Sequence, residues 1–372
     1  MPFVPGTKTT FSDSADHILD LSDGLDFLNP KNDGIALLKK IGLNGGKAKA
    51  VKHEWTTVEL AARGETVTLA DGVATTLTVA DAYIYQIGDL IRCEAEVMRV
   101  TALASATTLT VTRGYAGTTG AAHSAKLAYS LGSADIEGAD APAGIQDSGA
   151  RLYNYVQTFT RGVKLSNDEI AQLSTDGNPL NKQLERRFIE VNRLLARSFF
   201  YGVRHEDTSL KIHAMGGLKQ FVTTNVTNVA GALTLAAIDA QILNIVNAGG
   251  NPDTLVLSPY QSQKLSALDA NFQRVGKSEQ TGGNLRTMEW QSNLLDTPLQ
   301  VIIDHSILTD ELWILDSERV KIMPLSNNGI SGAFHVENST TPGADNESRV
   351  IRGKYTIEVE QQKAHGYLYG LS

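Results

Sequence analysis

The chain has one cysteine, Cys93, in 372 residues, so it can form no internal disulfide and no cysteine-based zinc site. A single thiol fits a reducing compartment. No run approaches the ~18 apolar residues of a membrane span. The opening, MPFVPGTKTTF, has neither the basic start nor the apolar stretch of a secretory signal. Net charge is −8, from 33 Lys+Arg against 41 Asp+Glu, which excludes a protein coated overall for nucleic acid. Catalytic signatures are also missing. No GxxxxGK[ST] phosphate loop, GxSxG elbow or HExxH helix occurs, and no two of the eight histidines are four apart. The closest groupings are weak. His205, Glu206, Asp207 and His213 fall in a polar stretch, read as a solvated loop. Gly114–Gly120 follows a strand and opens no helix, so it reads as a hairpin loop. Asp304-His305-Ser306 has triad residue types without triad geometry. Cys93 lies beside Glu94, whose charge opposes a thiolate. These observations predict a non-enzyme without a cofactor or metal.

What is present is 42% hydrophobic residues, enough for a folded soluble protein, and a length that calls for two or more lobes. Charge is uneven along the chain. Residues 1–30 carry Lys8 against five aspartates, and residues 31–52 carry six lysines against Asp33. With its glycines, this stretch reads as an extended arm with one or two short helices. Its two charge blocks read either as letting neighbouring chains attract head to tail or as a solvated segment with no partner.

Residues 53–150 hold five Lys+Arg and twelve carboxylates, and are rich in Thr, Ala, Val and Gly. Period-two runs (Thr66–Leu69, Thr76–Val79, Met98–Thr101, Thr108–Thr112) indicate half-buried strands. Asp71-Gly72, Gly88-Asp89 and Arg113-Gly114 are turns. TTLTV occurs at both Thr75–Val79 and Thr107–Val111. The zone reads as a small β-barrel or sandwich inserted at about 60–131, with 132–150 as the linker out.

Tyr153 to Leu165 reads as one long strand with Tyr153, Tyr155, Gln157 and Phe159 on one side. Asn178-Pro179 then caps and opens a helix to about Tyr201, ended by Gly202. Its apolar stripe is Leu180, Leu184, Phe188, Val191, Leu195 and Phe199. Its polar face carries Lys182, Arg186, Arg187, Arg193 and Arg197 against Glu185 and Glu190. An α/β pattern follows: helices from Leu235 and Pro259, strands at 253–257, 299–303 and 312–315, and polar loops at 276–286 and 326–348. The chain closes with a strand from Arg349 to Val359 and then Tyr367-Leu368-Tyr369.

This order resembles the Hong Kong 97-like major capsid proteins of tailed bacteriophages, in the branch with an expanded β insertion. Tyr155–Phe159 with Val163–Ser166 resembles the strand returning from the extended loop, and Asn181–Gly202 the spine helix. Thr254–Pro259 resembles the axial strand-to-helix step. Gly353–Val359 with Lys363–Gly366 resembles the closing strand. The resemblance implies an α+β fold. Residues 1–52 would be an N-terminal arm, and 53–152 an extended loop with the β domain. Residues 153–213 would be a peripheral lobe with spine helix 179–202, 214–345 an axial lobe, and 346–372 closing strands. It implies a virion protein, assembled in the host bacterial cytoplasm. The protein would build an icosahedral shell of hexamers and pentamers around double-stranded DNA, with no membrane involved. Scaffolding, portal and cementing proteins are the implied further partners. The start has no long, charge-rich helical segment, which implies a separate scaffold or none. Lys39, Lys40, Lys47, Lys49, Arg186, Arg187 and Arg193 are the candidate assembly contacts. The basic helix face is expected to pair with a neighbour's acidic segment rather than with DNA. Competing readings are an encapsulin-type compartment shell and a tail or adhesin protein binding carbohydrate through the β insertion.

Overall fold

The computed structural model describes residues 35–42, 45–58, 64–138, 149–172, 178–268, 288–290, 292, 294–327 and 329–372. The acidic block 1–30 and the 276–286 loop lie outside these. The chain divides into two compact units. One comprises residues 1–53 and 153–372, the other residues 54–152.

In the larger unit the first described element is helix α1 (Ile35–Ile41). Its Leu37 and Leu38 are buried in the main core beside Val191 and Leu195, so this part of the basic stretch is seated rather than free. Residues 45–48 then run beside the chain at 322–326. Gly45 N donates to Ile322 O at 3.1 Å, and Ser326 N to Ala48 O at 2.9 Å.

Strand β1 (Lys52–Thr57) leads out. The second unit is a closed barrel. Its strands are β2 (Gly64–Leu69), β3 (Thr76–Thr78), β4 (Asp89–Cys93), β5 (Glu96–Ser105), β6 (Thr108–Thr112) and β7 (His123–Ser133), in the order β2-β3-β6-β5-β4-β7. Closure leaves no strand edge unpaired. Alternate residues (Val67, Leu69, Leu77, Ile91, Cys93, Met98, Val100, Leu109, Val111, Ala128) fill the interior. The two TTLTV strings are β3 and β6, paired antiparallel with Leu77 opposite Leu109, both fully buried. Identical alternation lets each copy supply the same inward leucine.

Strand β8 (Ala150–Tyr155) pairs with β1, and β9 (Gln157–Ser166) follows. The single strand expected from Tyr153 to Leu165 is therefore two. Val156 breaks it: its side chain is buried, its N–H donates to Val51 O at 2.8 Å, and the two halves pair with different partners. Helices α2 (Asn167–Ala171) and α3 (Pro179–Tyr201) come next. Asn178 caps α3, its side chain accepting from Leu180 N and Asn181 N. Gly202 ends it with φ −55°, not a left-handed value. A Cβ there would lie 2.4 Å from Met215 O and 2.5 Å from Ser198 O, so close backbone approach requires the glycine.

Hairpin β10 (His205–Asp207) and β11 (Ile212–Ala214), helix α4 (Leu218–Phe221) and β12 (Val226–Gly231) lead to α5 (Leu235–Asn247). Thr234 caps α5, and Gly249 closes it at φ +85°, with Gly250 N bonded back to Ile245 O. Strand β13 (Thr254–Leu257), α6 (Pro259–Leu268), β14 (Met288–Trp290), β15 (Leu299–Ile303) and β16 (Leu312–Leu315) follow. The stretch 326–348, expected as loop, folds into short strands because its polar residues sit on a sheet margin. Here lie β18 (Ser326–Asn327), β19 (Ile330–Ser331) and β20 (His335–Asn338), preceded by β17 (Val320–Pro324). Strands β21 (Asn346–Val359) and β22 (Gly366–Leu371) close the chain.

A six-stranded mixed sheet runs β12-β22-β16-β13-β15-β14. All four residues of β13 are buried, as a central strand covered on both faces requires. The second sheet is organised by β21. It pairs with β9 over Asn346–Tyr355, with β20 over Arg349–Arg352 and with β17 over Tyr355–Val359. Helix α3 packs on β9 and β21, burying Val191, Leu195, Phe199 and Phe200 with Phe159, Ile351 and Tyr355.

Candidate assembly surface

The stripe of α3 is buried at Leu180, Val191, Leu195 and Phe199 and partly buried at Leu184. Phe188 departs from the expectation. It is 43% exposed, although Leu184 on one side of it packs on the core and Val191 on the other is buried in it. Its ring stands edge-on to Phe334, with centroids 5.9 Å apart, and Phe334 packs on Tyr355 at 4.8 Å. Gly353 makes room for this arrangement, since a Cβ there would meet the Phe334 ring at 2.3 Å. Phe334 N donates to Tyr355 Oη at 3.2 Å, which fixes the turn carrying it. The outcome is an apolar spot in a charged rim. Arg187 and Arg161 both face Glu190. Glu337 bridges His335 at 2.8 Å and Arg352 at 3.2 Å. The backbone carbonyl of Ala333 and the Glu337 carboxylate hold the His335 pKa above its ordinary value.

The seven cationic candidates fall on three segments of the larger unit. Arg186, Arg187 and Arg193 share α3 and are half-buried. Lys39 is exposed on α1, while Lys40 is held 2.9 Å from Asp253 within the same unit. Lys47 and Lys49 flank the buried Ala48 and are exposed beside the 322–326 segment. The aromatic partner, Phe334, was missed by sequence reasoning. The segment reads as polar loop, and only the Gly353–Phe334 close approach reveals its role.

Two buried polar clusters tie elements of the larger unit together. Asn154 is fully buried. Its amide donates to Gly216 O at 3.1 Å and Ile357 O at 3.0 Å, and its oxygen accepts from Gly216 N at 2.8 Å. The carboxylate of Glu311, also buried, accepts from Lys219 at 2.8 Å and from the hydroxyls of Tyr201, at the end of α3, and Tyr367, in β22. Burial and then that carboxylate push both tyrosine pKa values far up, so these hydroxyls stay donors.

The groupings considered for chemistry are structurally occupied. Glu206 bridges His213 at 3.3 Å and accepts from Tyr155 Oη at 2.6 Å, within the β10–β11 hairpin rather than a loop. Asp207 caps the turn through Ser209 N and Leu210 N, each at 2.9 Å. Asp304 Oδ1 accepts from Ser306 N at 2.7 Å. Burial first, and Glu94 and Glu96 after it, raise the Cys93 thiol pKa. Among the described residues no three His, Cys, Asp or Glu side chains cluster as a metal site would require, and no helix is long and apolar enough to cross a membrane.

The fold has known counterparts. The capsid of a native GTA particle has 11% identity to this chain at TM-score 0.53, covering 98% of this chain and 99% of that one. A Microbacterium phage Oxtober96 chain has 11% identity at 0.53, covering 98% of each. A Mycobacterium phage Cain chain has 10% identity at 0.52, again covering 98% of each. These likenesses place the chain in the fold of Hong Kong 97-type capsids. No curated protein matches the sequence. A sequence family does, and over nearly the whole length. It decides for a head protein over a compartment shell or an adhesin. With residues 4–372 matched, the chain belongs to the SU10 major capsid protein family.

Proposed function

We propose that this major capsid protein closes into an icosahedral shell of hexamers and pentamers around double-stranded DNA, and that the Phe188–Phe334 spot on α3 is a principal contact between copies. The observation that carries this reading is Phe188 itself. Every other member of its stripe is buried or partly buried in the chain, whereas Phe188 lies open beside a second aromatic ring. Aromatic side chains in a charged rim are the usual anchors of protein interfaces. In this reading residues 1–52 are an arm, 53–152 an extended loop carrying the barrel, 153–213 the peripheral lobe, 214–345 the axial lobe and 346–372 the closing strands. Assembly takes place in the host bacterial cytoplasm, with scaffolding, portal and cementing proteins as further partners. A net charge of −8 limits adhesion of the shell to the packaged polyanion.

Negative-stain electron microscopy with static light scattering on wild type and Phe188→Asp tests this. Wild type should give uniform closed shells, or free pentamers and hexamers. The variant should stay folded by circular dichroism and remain a monomer. A monodisperse wild-type monomer at high concentration would refute shell assembly. Intact variant shells would refute the role of Phe188.

A further inference from the structure

The barrel's interior is closed, but one stretch of its outer wall does not look like ordinary barrel surface. On β7, Leu127, Tyr129 and Leu131 point outward at alternate positions and are all exposed. With Arg92, Glu94 and Lys126 they line an open groove of about 590 Å³. That volume is within the range of small-ligand sites. Tyr129 sits at its middle, opposite Gly64 on β2 and Arg92 on β4. A Cβ at Gly64 would lie 3.0–3.1 Å from the Tyr129 ring carbons. The ring therefore leans against the glycine, and at 47% exposure about half of it is open to solvent.

The charges at the rim are unequally used. Lys126 and Glu94 neutralise each other at 2.8 Å. Arg92 gives only its Nε, to Glu94 O at 3.0 Å, and its two terminal amino groups meet no partner among the described residues. A guanidinium fork left free beside an exposed aromatic ring is a matched pair of recognition elements. The fork takes a carboxylate through two parallel hydrogen bonds, and the ring takes the apolar C–H face of a sugar.

We propose that this groove binds an acidic saccharide, with a uronate-type carboxylate on Arg92 and a pyranose ring stacked on Tyr129. The surrounding charge narrows the class further. Residues 54–152 carry twelve carboxylates against six Lys+Arg, a field that repels a long polyanion such as nucleic acid but leaves a short, singly charged sugar repeat to the local fork. A capsid with this property would adhere to acidic surface glycans.

Isothermal titration of the full chain with hyaluronan and polygalacturonate tetrasaccharides tests the site. Chitotetraose is the neutral control, and the oligonucleotide dT8 tests for nucleic acid. At least one acidic tetrasaccharide should bind, and chitotetraose at least tenfold more weakly. Arg92→Gln and Tyr129→Ala should each weaken binding at least tenfold, whereas Tyr129→Phe should retain it. Arg92 is exposed and makes one backbone contact, so its variant reads binding even if Tyr129→Ala unfolds the barrel. Four outcomes would overturn the proposal: no acidic tetrasaccharide binding at millimolar concentration, equal binding of chitotetraose, equal binding of dT8, or affinity unchanged in Arg92→Gln.

Discussion

Removing Arg113 from the barrel should open that unit without touching the other. The guanidinium grips Glu96 with two contacts, Nε to Oε1 at 2.6 Å and Nη2 to Oε2 at 2.8 Å, both side chains being nearly fully buried. Its remaining donors satisfy Asp71 O at 2.9 Å, Ala74 O at 2.8 Å and Ala121 O, tying the loops at one end of the barrel together. Glu96 also accepts from Ala121 N at 3.1 Å, Gly114 N at 3.2 Å and His123 Nε2 at 2.9 Å. Arg113→Leu leaves a buried carboxylate without its main counter-charge, a loss of about 3–5 kcal/mol. The acidity of Glu96 points to the same scale. Burial alone would raise the Glu96 pKa, but Arg113 and the other donors outweigh it and bring it from 4.5 to about 2. A depressed carboxylate contributes stability that is complete above pH 4.5 and lost as pH falls toward 2, about 3 kcal/mol in all. Hydrogen exchange with mass spectrometry on the full chain reads both effects, with β13 and β16 as internal reference. At pH 7, peptides over β2, β4 and β5 should exchange ~10²–10⁴-fold faster in the variant. The wild-type barrel should lose comparable protection between pH 4.5 and 2, after correction for intrinsic rates. Acceleration below tenfold at pH 7 would refute the clamp.

Three further outcomes follow from other sites. Arg186→Glu with Arg187→Glu should abolish shell formation while leaving the melting temperature nearly unchanged; intact shells would show that this face pairs with no neighbour. Gly202→Ala should cost well over ~1 kcal/mol although φ −55° suits alanine, because the added methyl meets two carbonyl oxygens; denaturant unfolding within ~0.5 kcal/mol of wild type would contradict this. Cys93 is fully buried with a raised thiol pKa, so iodoacetamide at pH 8 should label it only after unfolding, and rapid native labelling would show the barrel open.

Much of the fold was legible because local rules agreed. The Asn178-Pro179 cap and the period of α3 each act within a few residues. The alternating runs of 64–133 announce strands whose inward residues form one core. What failed was non-local. Nothing near Val156 signals that the strand changes partners there, since the cause is the Val51 carbonyl about a hundred residues earlier. Asn154 and Glu311 look like ordinary polar residues in sequence, and their roles exist only once Gly216, Ile357, Tyr201 and Tyr367 are brought around them.

Phe188 shows why the assembly surface was hardest to read. Periodicity reports which residues share a face of a helix, not which of them the rest of the chain covers. A stripe with one uncovered member is apolar for two reasons at once. Its buried members stabilise the fold, and its exposed member waits for another surface. In a monomer the second use is a liability, because an exposed aromatic ring invites association. In a protein whose function is association, that liability is the contact itself. The two uses separate experimentally: Leu195→Ala should cost ~2–5 kcal/mol of stability, because Leu195 is fully buried in the core. Phe188→Ala should cost the chain little and the shell much. Denaturant unfolding of monomers and sedimentation of shells, run on both variants, should give opposite rankings. A Phe188→Ala monomer destabilised as much as Leu195→Ala would mean the stripe serves the fold alone.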